Sequence, residues 1–233
     1  MPLLLRPARA EDAPAMGVLG TRAFQDGLNR VLFPPRLQTP GNKDEGPAWR
    51  AARILRRMRE GRTAYVVVDA ADDGSETVIG YAQWDRPKVP GQDTPQDEPA
   101  KEDDTPSSLD KEALARLNEI LDKIAVTALG PDGFQSMWCR CSASLTNSYI
   151  SNLNSDLVIL SVDPDHQRRG AGRMLVQWGM EQAAAEGKKV FVIATPEGKP
   201  LYEAMGFEAI ADPVDLLGFP NQAMLWIPTS YGS

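Results

Sequence analysis

Eleven consecutive residues, Val162-Asp163-Pro164-Asp165-His166-Gln167-Arg168-Arg169-Gly170-Ala171-Gly172, join a strand-like run to a helix-like one. A strand-to-helix turn of this kind aims backbone N–H groups at the N-terminal end of a helix, where an anion binds. Gly170 and Gly172 let a ligand approach the backbone with no Cβ in the way. Gln167 through Arg173, Gly170, Ala171 and Gly172 among them, offer amides to a phosphate, while Arg168, Arg169 and Arg173 add positive charge. Three cations at a helix N-terminus oppose the helix dipole by about 0.3–1 kcal/mol each, which favours an anionic ligand over a solvated basic patch as their explanation. His166 is the one histidine of the chain, and it reads as a structural or peripheral contact of this loop ahead of a general base.

The elements that must position this turn follow from periodicity. Leu157 to Val162 is a nearly continuous apolar run, as expected of a strand covered on both faces. Gly172 to Glu186 reads as a helix with Leu175, Val176, Gly179, Met180 and Ala183 on one face, ended by Gly187. Val190 to Thr195 is the next strand, and a strand–helix–strand unit of this length predicts that the two strands run parallel. A short helix over Pro200–Met205 and strands over Phe207–Ile210 and Ala223–Ile227 complete the C-terminal part. Upstream, Leu3–Pro7 reads as a strand, and Glu11–Phe24 and Ala48–Glu60 as helices with a loop between them; Gly61 caps the second. Thr63–Val68 and Thr77–Trp84, joined by Asp72-Asp73-Gly74-Ser75, predict a β-hairpin. Residues 87–155 read as an insertion. Its first part, 87–108, carries five prolines and six acids and predicts a mobile or irregular excursion. Residues 109–129 repeat leucine and isoleucine at helical spacing through Leu114, Leu117, Leu121 and Ile124. Phe134 to Asn154 is compatible with a short strand or an ordered loop.

Spacing sorts the phosphate loop. A dinucleotide fingerprint needs a glycine where Leu175 stands, and a nucleoside-triphosphate loop needs Gly-Lys-Ser/Thr where Gly172-Arg173-Met174 stands. What remains, Val-x-Pro-x-x-Gln-x-x-Gly-x-Gly, resembles the pyrophosphate loop of the GNAT superfamily of acetyl-coenzyme A-dependent N-acetyltransferases. Thr195 to Phe207, with Leu201-Tyr202 before Gly206-Phe207, is similar to that family's late strand–helix motif, at the family's order and separation. The resemblance covers Leu3–Trp84 loosely and Asp156–Ile227 well, and the long insertion resembles that of fungal-type members.

The resemblance implies an α/β fold of a single domain over residues 1–233: a mixed, mostly antiparallel sheet with a parallel fourth/fifth strand pair, flanked by helices. It implies direct transfer of acetyl from acetyl-CoA to a primary amine of a small-molecule acceptor in a ternary complex. Protein or peptide N-acetylation and a non-catalytic CoA-binding sensor or scaffold are the alternatives. Leu160, Ser161 and Val162 would hold the pantetheine arm and polarise the thioester through their backbones. Tyr202 matches the tyrosine that protonates the leaving thiolate, a task suited to a phenol, which titrates near about 10 in free solution. Thr195 stands where many members have asparagine, and Gly198 where alanine is usual. Asp156, Glu203 or a water chain would accept the amine proton. Phe24, Phe33, Trp49 and Trp138–Tyr149 are the acceptor-side candidates, each equally readable as core.

Bulk composition agrees with this picture. The chain has 233 residues, 42% hydrophobic, with a net charge of −7, of which residues 87–108 carry −4. That acidity argues against nucleic acid as a partner. Cys139 and Cys141 with a single histidine give no disulfide scaffold and no metal-ligand spacing, so no metal is expected. Without a signal-peptide core or an apolar run of membrane-spanning length, the expectation is a cytoplasmic protein with no membrane partner.

Overall fold

The computed structural model describes residues 2–84, 105–129, 137–138 and 159–228. The elements in chain order are β1 (Leu3–Pro7), α1 (Ala13–Ala23), α2 (Leu28–Leu32), α3 (Glu45–Arg59), β2 (Thr63–Ala70), β3 (Glu76–Trp84), α4 (Lys111–Leu129) and β4 (Met137–Trp138). They continue with β5 (Leu160–Val162), α5 (Ala171–Ala185), β6 (Lys189–Ala194), α6 (Lys199–Glu203), β7 (Glu208–Ala209), β8 (Val214–Asp215) and β9 (Pro220–Trp226). The fold is mixed α/β, with antiparallel ladders dominating and helices on the faces.

The strands divide into two sheets. One is antiparallel throughout, in the order β1-β2-β3-β5; the other runs β4-β6-β9-β7, with β8 also paired to β9. The hairpin of β2 and β3 turns through Gly74 at φ +83°, a left-handed conformation that glycine adopts without a Cβ penalty. A register shift between Val67 and Val68 leaves three successive valines, Val66, Val67 and Val68, fully buried. Val67 packs with α5, whereas Val66 and Val68 pack with α1 and α3, so this sheet is covered on both faces. α4 supplies Leu114, Leu117, Leu121 and Ile124 to a further core with Phe191 and Ala223 of the second sheet.

One expectation is corrected. The parallel pair predicted from Leu157–Val162 and Val190–Thr195 is not a hydrogen-bonded pair. β5 closes the first sheet, β6 belongs to the second, and the parallel ladder among the described residues joins β6 to β4. Leu160, Val192, Ala194 and Tyr202 border a cavity between the two strands. Of the acidic stretch, residues 87–104 lie outside the described residues, and its last residues meet α3. Ser107 Oγ, Ser108 N and Ser108 Oγ all donate to the Glu45 carboxylate at the start of α3, and Ser108 is buried. Cys139, Cys141, Asp156 and most of Phe134–Asn154 lie outside the described residues. Among the described residues no helix is long and apolar enough to cross a membrane.

The face of α5 that meets β3 depends on one missing side chain. A Cβ on Gly179 would lie 2.3 to 2.6 Å from three ring atoms of Trp84, which is itself 3% exposed. Gly179→Ala is therefore expected to lower stability by about 1–3 kcal/mol despite alanine's better helix propensity, measured as the shift in urea midpoint at unchanged slope. An increase in stability would mean that the α5–β3 contact is looser than described.

Candidate active site

The loop after β5 is built on local chain geometry and then clamped. Asp163 N donates to Ile79 O at 2.8 Å, which ties the loop to β3. Pro164–His166 forms a single 3-10 turn, with Asp165 N donating to Asp163 Oδ1 at 3.0 Å. From the last turn of α1, Arg22 bonds Asp163 and Asp165 at once, each at 2.6 Å. His166 Nδ1 lies 3.8 Å from Asp163 Oδ1, within the same loop and off the cavity, so its place is that of a loop contact.

Beyond the turn the backbone coils tightly. Arg168 has φ +62° and Gly170 has φ +95°, so two left-handed residues bracket Arg169. For a residue with a Cβ this conformation costs about 1–2 kcal/mol. Such strain persists where the surroundings over-determine it. Met174 N donates to Gly170 O at 3.0 Å, so the amides of Ala171, Gly172 and Arg173 precede the first intrahelical bond and have no helical acceptor. A Cβ on Gly172 would lie 3.1 Å from Leu201 Cδ2, so this glycine also seats α5 against α6.

The three arginines separate. Arg168 is exposed and has no ion-pair partner among the described residues. Arg169 is committed to Asp69 of β2 at 2.6 Å, and it holds the Asp69 carboxyl below the ordinary carboxylate range. Arg173 reaches Ala204 O at 3.4 Å. Gln167 Nε2 reaches Val162 O at 3.4 Å.

Among the described residues strand β5 pairs on one side alone. Ile159 O accepts from Gln83 N and Asp163 N donates to Ile79 O, so by antiparallel alternation the N–H and C=O of Ser161 also turn toward β3. Those of Leu160 and Val162 face the open edge, toward β6. Of the three residues expected to hold a ligand through their backbones, Leu160 and Val162 turn their backbone groups to the open edge and Ser161 turns its own toward β3. The Ser161 side chain is buried, and its Oγ lies near the Tyr81 hydroxyl without meeting hydrogen-bond geometry.

A cavity of about 120 Å³ opens between this edge and β6, bordered by Leu160, Val192, Ala194, Thr195, Gly198 and Tyr202. Tyr202 is 9% exposed, and its ring meets Phe207 edge-on at 5.3 Å. Thr195 acts on the backbone: its Oγ1 accepts from Gly198 N at 3.2 Å and its carbonyl from Lys199 N at 2.9 Å. That turn leads into α6, whose N-cap is Gly198, and so sets where Tyr202 stands. Glu203 pairs with Lys199 at 3.6 Å on the half-exposed outer face of α6, away from the cavity.

Among the acceptor-side aromatics, Phe24 borders this cavity and Trp49 borders a second, smaller one, while Phe33 lines neither and packs under Gly46 and Trp49. Sequence reasoning missed Trp84 and Asn221, which border the first cavity; the Trp84 Nε1 is buried with no partner. It also missed Arg50 and Arg57, which border the second and are 8% and 3% exposed. A signal existed, because Arg50, Arg53 and Arg57 recur at the spacing of Ile54 on one face of α3.

Leu160 at the edge of β5 and Tyr202 of α6 border one cavity, and the turn that begins α5 follows directly on β5. Residues 139–227 match the family model for the acetyltransferase (GNAT) domain. A protein named acetyltransferase from Stachybotrys chartarum is 25% identical over 234 residues, spanning 95% of this chain and 90% of that one. Among solved structures, a histone acetyltransferase HPA2 and related acetyltransferase from Corynebacterium glutamicum superposes with a TM-score of 0.55 at 15% identity, covering 98% of each chain. A mosquito arylalkylamine N-acetyltransferase like 5b gives 0.54 at 15% identity, covering 97% of this chain and 100% of its own. YncA, a putative acetyltransferase from Salmonella typhimurium with its cofactor acetyl-CoA, gives 0.50 at 16%, covering 99% and 96%. At such identities these likenesses establish the fold.

Proposed function

We propose that the protein transfers an acetyl group from acetyl-CoA to the primary amine of a small-molecule acceptor, by direct attack within a ternary complex. The observation that carries this reading is the open edge of β5. Its outward Leu160 and Val162 groups lie between the amide-rich turn on one side and Tyr202 on the other. In this reading the amides of Gly170 to Arg173, with Arg168 and Arg173, hold the diphosphate. The pantetheine arm runs along β5 as an added strand, and an outward N–H of β5 polarises the thioester carbonyl. The amine nitrogen attacks that carbonyl carbon, the C–S bond breaks, and Tyr202 gives its proton to the departing thiolate. The cavity wall holds no carboxylate among the described residues, which favours solvent water as the carrier of the amine's proton.

The test is release of free thiol from acetyl-CoA against monoamines, amino sugars, polyamines and peptides. Turnover with small amines is the expected result. Turnover with peptides alone would replace the acceptor assignment with protein or peptide acetylation. Tight acetyl-CoA binding without turnover on any acceptor would leave a CoA-binding sensor or scaffold.

A further inference from the structure

The second cavity, of about 50 Å³, adjoins the first, since Leu121 and Ile159 border both. Its wall is unlike that of a hydrophobic slot. Arg50, Arg53 and Arg57 from α3 and Asn118 from α4 stand among its lining residues. Arg50 is the most telling. It is 8% exposed, its Nη2 donates to Asn29 Oδ1 at 2.9 Å, and its guanidinium lies 5.9 Å from the centre of the Phe33 ring. Its Nε is buried with no hydrogen-bond partner. Among the described residues no carboxylate meets it, and its charged or titratable neighbours are Tyr81 and a second cation, Arg57. Burial accordingly pushes the guanidinium below its ordinary pKa, with Tyr81 opposing and Arg57 adding repulsion.

A buried cation is ordinarily paired, because desolvation is costly and a neighbouring like charge worsens it. Here a buried cation with no acidic partner among the described residues lines a cavity that shares Leu121 and Ile159 with the first. The edge formed by Nε and Nη2 is the planar two-pronged donor that matches a carboxylate. We infer that the acceptor is an amine that also bears a carboxylate, which Arg50 receives in the second cavity while the amine reaches the thioester through the first. This rests on the acetyl-transfer reading and names its substrate class. The arrangement places the two groups at opposite ends of the acceptor, so chain length between them matters as well as charge.

The experiment compares ω-amino carboxylic acids of increasing length with the n-alkylamines of the same length, in wild type and in Arg50→Gln and Arg50→Lys. The best amino acid is expected to exceed its matched alkylamine in kcat/KM by about tenfold or more, as one charge-assisted bidentate contact supplies. Arg50→Gln brings that ratio to about one, whereas Arg50→Lys, which keeps the charge, retains part of it. Because the cation lacks an acidic partner, Arg50→Gln is also expected to raise the thermal midpoint; a residue that served the fold alone would lower it. Equal kcat/KM for both series in wild type overturns the carboxylate inference and leaves acetyl transfer standing. A wild type that turns over no amine sinks the acetyl-transfer reading. Calorimetry with 6-aminohexanoate against hexylamine then decides the Arg50 site by itself: preferential binding lost in Arg50→Gln upholds it, and no preference removes it.

Discussion

Tyr202→Phe is expected to lower kcat by about 100-fold while changing the KM for acetyl-CoA by less than about threefold, the pattern of a group needed in the transition state and not in the ground state. The ring stays, and with it the edge-on contact to Phe207 that packs α6 on the sheet, so the fold should be little affected. What goes is the proton for the leaving sulfur. A thiol in free solution titrates near about 8.5, so above that pH the thiolate departs without needing a proton, and below it the donor matters. The deficit of the variant should therefore be largest near neutrality and shrink as pH rises through about 9. A kcat equal to wild type at pH 7 would remove Tyr202 from the chemistry. A deficit constant with pH would reassign it to positioning the acceptor.

Those features of the site that depend on short-range chain chemistry were legible in the sequence. The strand–turn–helix around Gly170 and the caps at Gly61 and Gly187, with φ of +81° and +62°, follow from which residues tolerate left-handed backbone. The β2–β3 hairpin and the amphipathic α4 follow from periods of two and of 3.6. Long-range choices were not legible. Nothing near Arg169 in the sequence announces Asp69, its partner 100 residues away. That β5 and β6 part instead of pairing depends on the side chains between them, which a strand–helix–strand count does not see. α2 is five residues long and followed by Phe33-Pro34, too short for a period to register. Arg50 was hidden differently. An arginine on an amphipathic helix is ordinarily solvated, and only the packing of α3 against α1, with Asn29 of α2 beside it, buries this one.

The arginines of the phosphate turn divide by partner, and that division carries the second large effect. Arg168 and Arg173 face the turn without an acid among the described residues, so Arg168→Ala with Arg173→Ala should raise the Kd for acetyl-CoA by about 100-fold at low salt, at roughly 1.4 kcal/mol for each charge-assisted contact. Both are exposed, so the loss should fall well below that at high ionic strength, where the Debye length is about 3 Å. Arg169 behaves differently because its charge is already met by Asp69. Arg169→Ala removes a cation and also leaves the Asp69 carboxylate beside the diphosphate, so its cost combines lost attraction with new repulsion. The informative partner is Asp69→Asn. Releasing Arg169 while removing the nearby negative charge should tighten acetyl-CoA, and it should do so only while Arg169 is present. Calorimetry of the two single variants and the double at two salt concentrations separates these cases. If Asp69→Asn leaves affinity unchanged, Arg169 serves to fasten the loop to β2. If the Arg168–Arg173 double variant binds acetyl-CoA as tightly as wild type at low salt, the diphosphate does not lie on this turn.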